Sequence, residues 1–131
     1  EKTIGSGMVG ELPAPMREAD FLAHLKARMQ ATVVKHTALF GKDVSTVALC
    51  GGSGGFLLKD AKRAGAQVFV TSDYKYHEFF DADGEIIICD IGHYESEQFT
   101  TQLLAELLQE KFPTFAVLCT ETNTNPVRYF V

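Results

Sequence analysis

Four consecutive residues, Ile86-Ile87-Ile88-Cys89, constrain this chain more than any other feature. A strand with one face in water alternates apolar and polar residues, because successive side chains point to opposite faces. An unbroken apolar run must instead be covered on both faces, as in an inner strand with helices above and below. Val44 to Cys50 and Val68-Phe69-Val70 give the same signal. Between them the spacing predicts a helix from about Phe56 to Ala64, stopped by Gly65 where a helix C-terminus favours glycine. A second, short helix is expected from Tyr74 to about Asp81, ended by Asp83-Gly84. Strands alternating with helices at short loop spacing imply the α/β class: a layered mixed sheet flanked by helices.

The flanks are read the same way. Residues 4–12 carry several glycines and suit a short strand with bends, stopped by Pro13 and Pro15, the latter placed where a first helical turn tolerates proline. From Arg17 to about Gln30, Phe21, Leu22, Leu25 and Met29 form one helical stripe. Thr32 to Thr37 and Val44 to Cys50 suit a hairpin-like pair. After His93 a single long helix is expected, its stripe made of Phe99, Leu103, Leu104, Leu107, Leu108 and Phe112 and its end set by Pro113. Phe115 to Cys119 and Val127 to Val131 read as further strands. No repeat, low-complexity tract or linker divides the chain, so residues 1–131 read as a single domain.

Composition removes several function classes. The length of 131 residues with 46% hydrophobic residues supports one compact core. Twelve basic against seventeen acidic residues leave a net charge of −5, which offers nucleic acid and anionic membranes no global attraction. The longest apolar run, Phe115 to Cys119, has five residues, where a membrane helix needs roughly 20. The N-terminus has neither an initiator Met nor the apolar core of a signal peptide, and reads as the start of a fragment. Cys50, Cys89 and Cys119 are odd in number, lack CxxC spacing and each end an apolar run, as reduced core residues of a cytoplasmic protein do.

Polar chemistry collects at the strand ends, where ligands of α/β sheets usually bind. Gly92-His93-Tyr94-Glu95-Ser96-Glu97 is the sharpest cluster. His93 and Glu97, four apart at a helix start, share a face, and an imidazole with a carboxylate suits zinc, manganese or iron-type ions. The positive end of the helix would also keep Glu97 ionised. The alternative is a surface histidine beside a capping glutamate. Asp73 and His77 repeat the spacing at the neighbouring strand end and suit either further ligands or a capped short helix. His24 and His36 read as structural. Gly51-Gly52-Ser53-Gly54-Gly55 breaks the chain sharply and precedes a helix, but Leu57 stands where the third glycine of GxGxxG belongs and no GK[ST] follows. Backbone amides receiving an anion, or a plain tight turn, both remain open for it. No G-x-S-x-G elbow is present, so nucleophilic catalysis has little support.

Four segments in order resemble one family, the Nif-three-like proteins, also called GTP cyclohydrolase 1 type 2 homologs: Gly5 to Leu12, Val47 to Gly55, Ala64 to His77, and Gly92 to Glu97. The resemblance runs from about Gly5 to the C-terminus, with Ser72 where the family more often has glycine. It implies one half of a two-lobed α/β fold with a dinuclear metal cleft, assembled into hexameric homo-oligomers. By that resemblance this chain looks like the C-terminal lobe, with His93 and Glu97 as metal ligands and Asp73 and His77 lining the cleft. The remaining ligands would come from a His-His pair and a carboxylate in the N-terminal half of the same polypeptide, and no His-His pair occurs here. In some members an extra domain lies between the halves, and Gly5 to Leu12 resembles the return from it.

Three functions are thereby expected, in this order. The first is half of a metal-dependent hydrolase site acting on GTP or phosphoesters and complete only with the N-terminal half, so that two divalent ions bind the intact protein and few or none this chain. The second is an oligomerisation or interaction module without chemistry. A nucleotide-binding module built on the glycine loop comes last.

Overall fold

A computed structural model describes residues 4–130. The chain divides after Ser96 into two compact units. The first carries β1 (Met8–Arg17), α1 (Glu18–Arg28), β2 (Lys35–His36), β3 (Asp43–Ser53), a 3₁₀ turn (Gly55–Leu57), α2 (Leu58–Arg63), β4 (Val68–Ser72), a 3₁₀ helix (Tyr76–Ala82) and β5 (Ile87–Asp90). These strands form one mixed sheet in the order β1-β3-β4-β5-β2. The inner β3, β4 and β5 run parallel, and β1 and β2 are antiparallel edges.

The apolar runs fall where their sequence requires. Every residue of β4 and β5 is buried. Alternate side chains enter two cores on opposite faces of the sheet. Val68, Val70, Ile87 and Cys89 join Phe21 and Leu25 of α1. Phe69, Ile86 and Ile88 join Leu58 and Ala61 of α2. Such a sheet, covered on both faces and bounded by antiparallel edges, is the layered α/β architecture expected.

Three local expectations give way to tertiary context. Pro13 and Pro15 lie inside β1 rather than ending it. They fall where the register of β1 slips against β3, between Glu11 and Met16, on an edge strand that needs no ladder hydrogen bond from them. The hairpin between Thr32–Thr37 and Val44–Cys50 does not form: β2 pairs with β5 and β3 with β1 and β4, because the doubly buried runs take the inner places. The glycine stretch does not break the chain at once. β3 continues through Gly51, Gly52 and Ser53 across a register slip opposite Thr71, with Gly52 at φ +65°.

The unit that begins at Glu97 holds α4 (Thr100–Lys111), whose C-cap is Phe112. The long helix expected after His93 is two: α3 (His93–Glu97), which crosses the division between the units, and α4, separated by a turn at Gln98–Phe99. The apolar period continues across that turn, so period alone cannot reveal it. Residues 115–119 form no strand, since a strand exists only by pairing and no ladder among the described residues includes them. Phe115 and Leu118 are exposed, as is Cys119, which is therefore no core residue; Cys50 and Cys89 are buried. The strand expected from Val127 is likewise absent over the described residues, and its last member, Val131, lies outside them. Among the described residues no helix is long and apolar enough to cross a membrane.

Candidate functional site

The carboxyl ends of β3, β4 and β5 carry the polar residues singled out from sequence. One buried carboxylate organises them. Asp90, at the end of β5 and only 2% exposed, accepts the Tyr74 amide on Oδ2 (3.1 Å) and the Gly92 amide on Oδ1 (3.0 Å). Lys35 of the edge strand β2 places its ammonium 2.6 Å from the same Oδ2. A buried carboxylate is tolerable only with such partners. Its two oxygens thus tie the residue after Asp73 to the residue before His93.

The loops so held bring Asp73 and His93 together. Asp73 Oδ2 lies 2.6 Å from His93 Nδ1, both side chains about half exposed. The sequence spacing pairs Asp73 with His77 and His93 with Glu97; the fold adds a pairing that no helical period encodes, across 20 residues. Asp73 reaches it from a left-handed backbone (φ +60°), and Gly92 makes the turn into α3 at φ +92°. Ser96 fixes the start of α3 from both sides: its hydroxyl donates to the His93 carbonyl (2.7 Å) and accepts the Gly52 amide (2.8 Å).

His93 opens α3 and Glu97 closes it. Glu97 therefore lies at the C-terminal end of a five-residue helix, where the helix dipole does not favour a carboxylate; the expected help from a helix N-terminus is not supplied. His77 is exposed on the 3₁₀ helix Tyr76–Ala82. Beside it a polar pocket of about 420 Å³ is lined by residues including Ser53, Asp73, Lys75, Glu78 and Asp81, without His77.

The glycine loop is engaged with the sheet. The Gly54 amide donates to Thr71 Oγ1 (2.9 Å), and that hydroxyl donates to the Gly52 carbonyl (3.0 Å). A Cβ on Gly54 would stand 2.5 Å from Thr71 Oγ1 and 2.6 Å from Cys50 Cβ, so glycine is there for close approach. Two loop amides, those of Gly52 and Gly54, thus already have acceptors within the protein. Cys89 is no nucleophile: burial pushes its thiol up to about 12. Burial, then the charges of Glu78 and Asp81, push the Tyr74 phenol up to about 12 as well.

Sequence reasoning passed over Lys35, and it placed Asp90 and Ser96 at the strand end beside His93 without giving either a role. Asp90 had a signal, an acidic residue directly after a doubly buried run. Lys35 had none, because its partner lies far along the chain.

Among the described residues no group of three or more His, Cys, Asp or Glu side chains gathers at a geometry that could hold a metal ion. The donors present still fit a divalent ion as part of a set: an imidazole with a carboxylate on Nδ1 has the arrangement that presents Nε2 to a metal.

Known proteins resemble the chain over most of its length. A protein of Staphylococcus epidermidis called a GTP cyclohydrolase 1 type 2 homolog is 36% identical, covering 98% of this chain and 36% of its own length. A crystal structure of a Staphylococcus aureus hypothetical protein superposes with a TM-score of 0.87 at 30% identity, over 95% of this chain and 43% of that one. A Bacillus cereus protein related to NIF3 follows with a TM-score of 0.79 at 28% identity, over 96% of this chain and 36% of that one. The chain thus spans less than half the length of the relatives it matches. The sequence model of the family Duf34/NIF3 (NGG1p interacting factor 3) matches residues 1–126, and the chain belongs to that family.

Proposed function

We propose that this chain is the C-terminal lobe of a divalent-metal-dependent hydrolase of the GTP cyclohydrolase 1 type 2 or phosphoester-cleaving kind, with His93 and Glu97 as two of its metal ligands. The placement of His93 carries this reading: it opens a helix directly beyond the carboxyl end of a buried parallel strand, on a loop held by Asp90 and Ser96. The other donors belong to the N-terminal half of the same polypeptide, since two ligands fall short of the roughly four that a stable site needs. When bound, a divalent ion of zinc, manganese or iron type supplies a Lewis acid and an activated water. His93 contributes an imidazole nitrogen and Glu97 a carboxylate oxygen. Asp90 and Ser96 keep the loop in one shape.

Metal content of the longer polypeptide after exhaustive dialysis tests the proposal. Bound metal falls in His93→Ala and in Glu97→Ala, with a parallel loss of phosphoester or GTP turnover; unchanged content in both removes the reading. The 131-residue chain alone binds zinc weakly or not at all, and a tight stoichiometric site in it would contradict the shared-ligand view. A second reading, an assembly module without chemistry, is favoured by the apolar side chains of α4, of which Leu103, Leu104, Leu107 and Leu108 are each about half exposed. A defined homo-oligomer, hexameric or smaller, with metal content indifferent to both substitutions supports it instead.

A further inference from the structure

We infer that Asp73 is the positioning residue of His93: it accepts the proton of Nδ1 and so commits Nε2 as the nitrogen that faces a metal. This rests on the metal-site reading above and assigns it a residue outside the ligand set. Three observations carry it. The first is chemical. An ionised carboxylate can only accept, so at 2.6 Å from Asp73 Oδ2 the Nδ1 atom must carry the hydrogen. A neutral imidazole has one hydrogen, and placing it on Nδ1 leaves the lone pair on Nε2.

The second is architectural. An exposed ion pair between two mobile side chains fixes nothing, but here both backbones are pinned by one group. Asp90 holds the amide of Tyr74, next to Asp73, and the amide of Gly92, next to His93, while Ser72 on the other side of Asp73 is fully buried. Ser96 adds a hold on the His93 carbonyl. The contact therefore joins two anchored segments. The third is conformational. Asp73 adopts a left-handed backbone (φ +60°), which costs it more than it would glycine, and from that backbone its carboxylate reaches the ring.

The test reads the tautomer before it reads the metal. In the 131-residue chain labelled with ¹⁵N-histidine, at alkaline pH where the ring is neutral, long-range ¹H–¹⁵N spectra report which His93 nitrogen is protonated. The wild type shows Nδ1–H. Asp73→Ala moves His93 toward the Nε2–H form, and Asp73→Gly, which also relieves the backbone and guards against an unfolded alanine variant, does the same. Asp73→Asn, whose amide oxygen still accepts, keeps Nδ1–H. An Nε2–H tautomer in the wild type, or one unmoved by Asp73→Ala and Asp73→Gly, overturns the inference.

Zinc titration of the longer polypeptide is the second arm. Loss of the Asp73 acceptor weakens zinc binding about 10–100-fold, the usual effect of removing a group that orients a histidine ligand, and Asp73→Asn restores most of it. Affinity unchanged in Asp73→Ala but abolished in His93→Ala overturns the positioning role and leaves the ligand reading intact. Affinity indifferent to His93→Ala as well sinks the ligand reading, and with it the metal-facing half of this inference, while the tautomer still decides the Asp73–His93 contact on its own.

Discussion

At the scale of single residues, the site is shaped by close approach and by buried charge. Gly54 lets the chain leaving β3 pass close to Thr71 and to Cys50 of β3 itself, both with atoms closer than 3 Å to where a Cβ would stand. Gly54→Ala is expected to destabilise the fold by about 1–3 kcal/mol, the usual cost of overpacking, as a lower urea midpoint with an unchanged slope. An unchanged midpoint would show that the strand tail shifts freely. Glu18, buried at the start of α1, receives the amides of Phe40 and Gly41 at 3.1 and 2.8 Å. Burial works to raise its carboxyl, but the amides of Gly41, Phe40 and Lys42 and the charge of Lys42 outweigh it and hold the group below its ordinary value. A carboxyl lowered by folding contributes stability that is full above its unfolded value, about 4.3, and is lost as pH falls through the folded one. Glu18→Gln is thus expected to be less stable than wild type at pH 7, with the gap closing below about pH 4; a gap constant across that range in urea titrations would refute the assignment.

At the scale of elements, the sheet is secured by groups that repair its irregularities. Where β1 slips past β3, the Gln67 side chain fills in: its Oε1 accepts the amides of Ser45 and Thr46 at 2.7 and 2.9 Å, and its Nε2 donates to the Asp43 carbonyl at 2.8 Å. Gln67→Ala strips partners from half-buried backbone groups and is expected to cost about 1–3 kcal/mol, whereas Gln67→Glu keeps the acceptor and loses less. Hydrogen exchange at Ser45 and Thr46 checks this, since both amides should exchange faster in the alanine variant alone. A similar repair holds the site. The slip of β3 opposite Thr71 lets one hydroxyl serve Gly52 and Gly54, and Ser96 takes the remaining Gly52 amide. The glycine loop consequently functions first as a joint between strands, and any anion it receives must use its other amides.

At the scale of the whole molecule, the two compact units differ in how far their sequence is satisfied by the described residues. In the first, the doubly buried runs find helices on both faces. In the second, α4 and the segment after it keep much of their apolar surface in water, from Leu103 through Phe115 to Leu118. The Staphylococcus epidermidis and Staphylococcus aureus relatives are more than twice as long as this chain, so the metal-content and zinc experiments belong to the longer polypeptide.

What the sequence by itself determined was whatever depends on local order: the inner strands, from apolar runs that no half-exposed strand could carry; α1 and α2, from period and a stopping glycine; and the gathering of polar residues at the carboxyl ends of the inner strands, from residue types next to the apolar runs. Tertiary structure decided the rest, because it depends on which segments meet. Only pairing could tell that β2 joins β5, that the prolines sit harmlessly in an edge-strand slip, and that residues 115–119 form no ladder. The partner of His93 was likewise invisible, since Asp73 reaches it from another strand end, across a loop that Asp90 closes from within the sheet. Hydrophobic pattern is written residue by residue along a chain; a hydrogen bond between two strand ends is written only in the folded register.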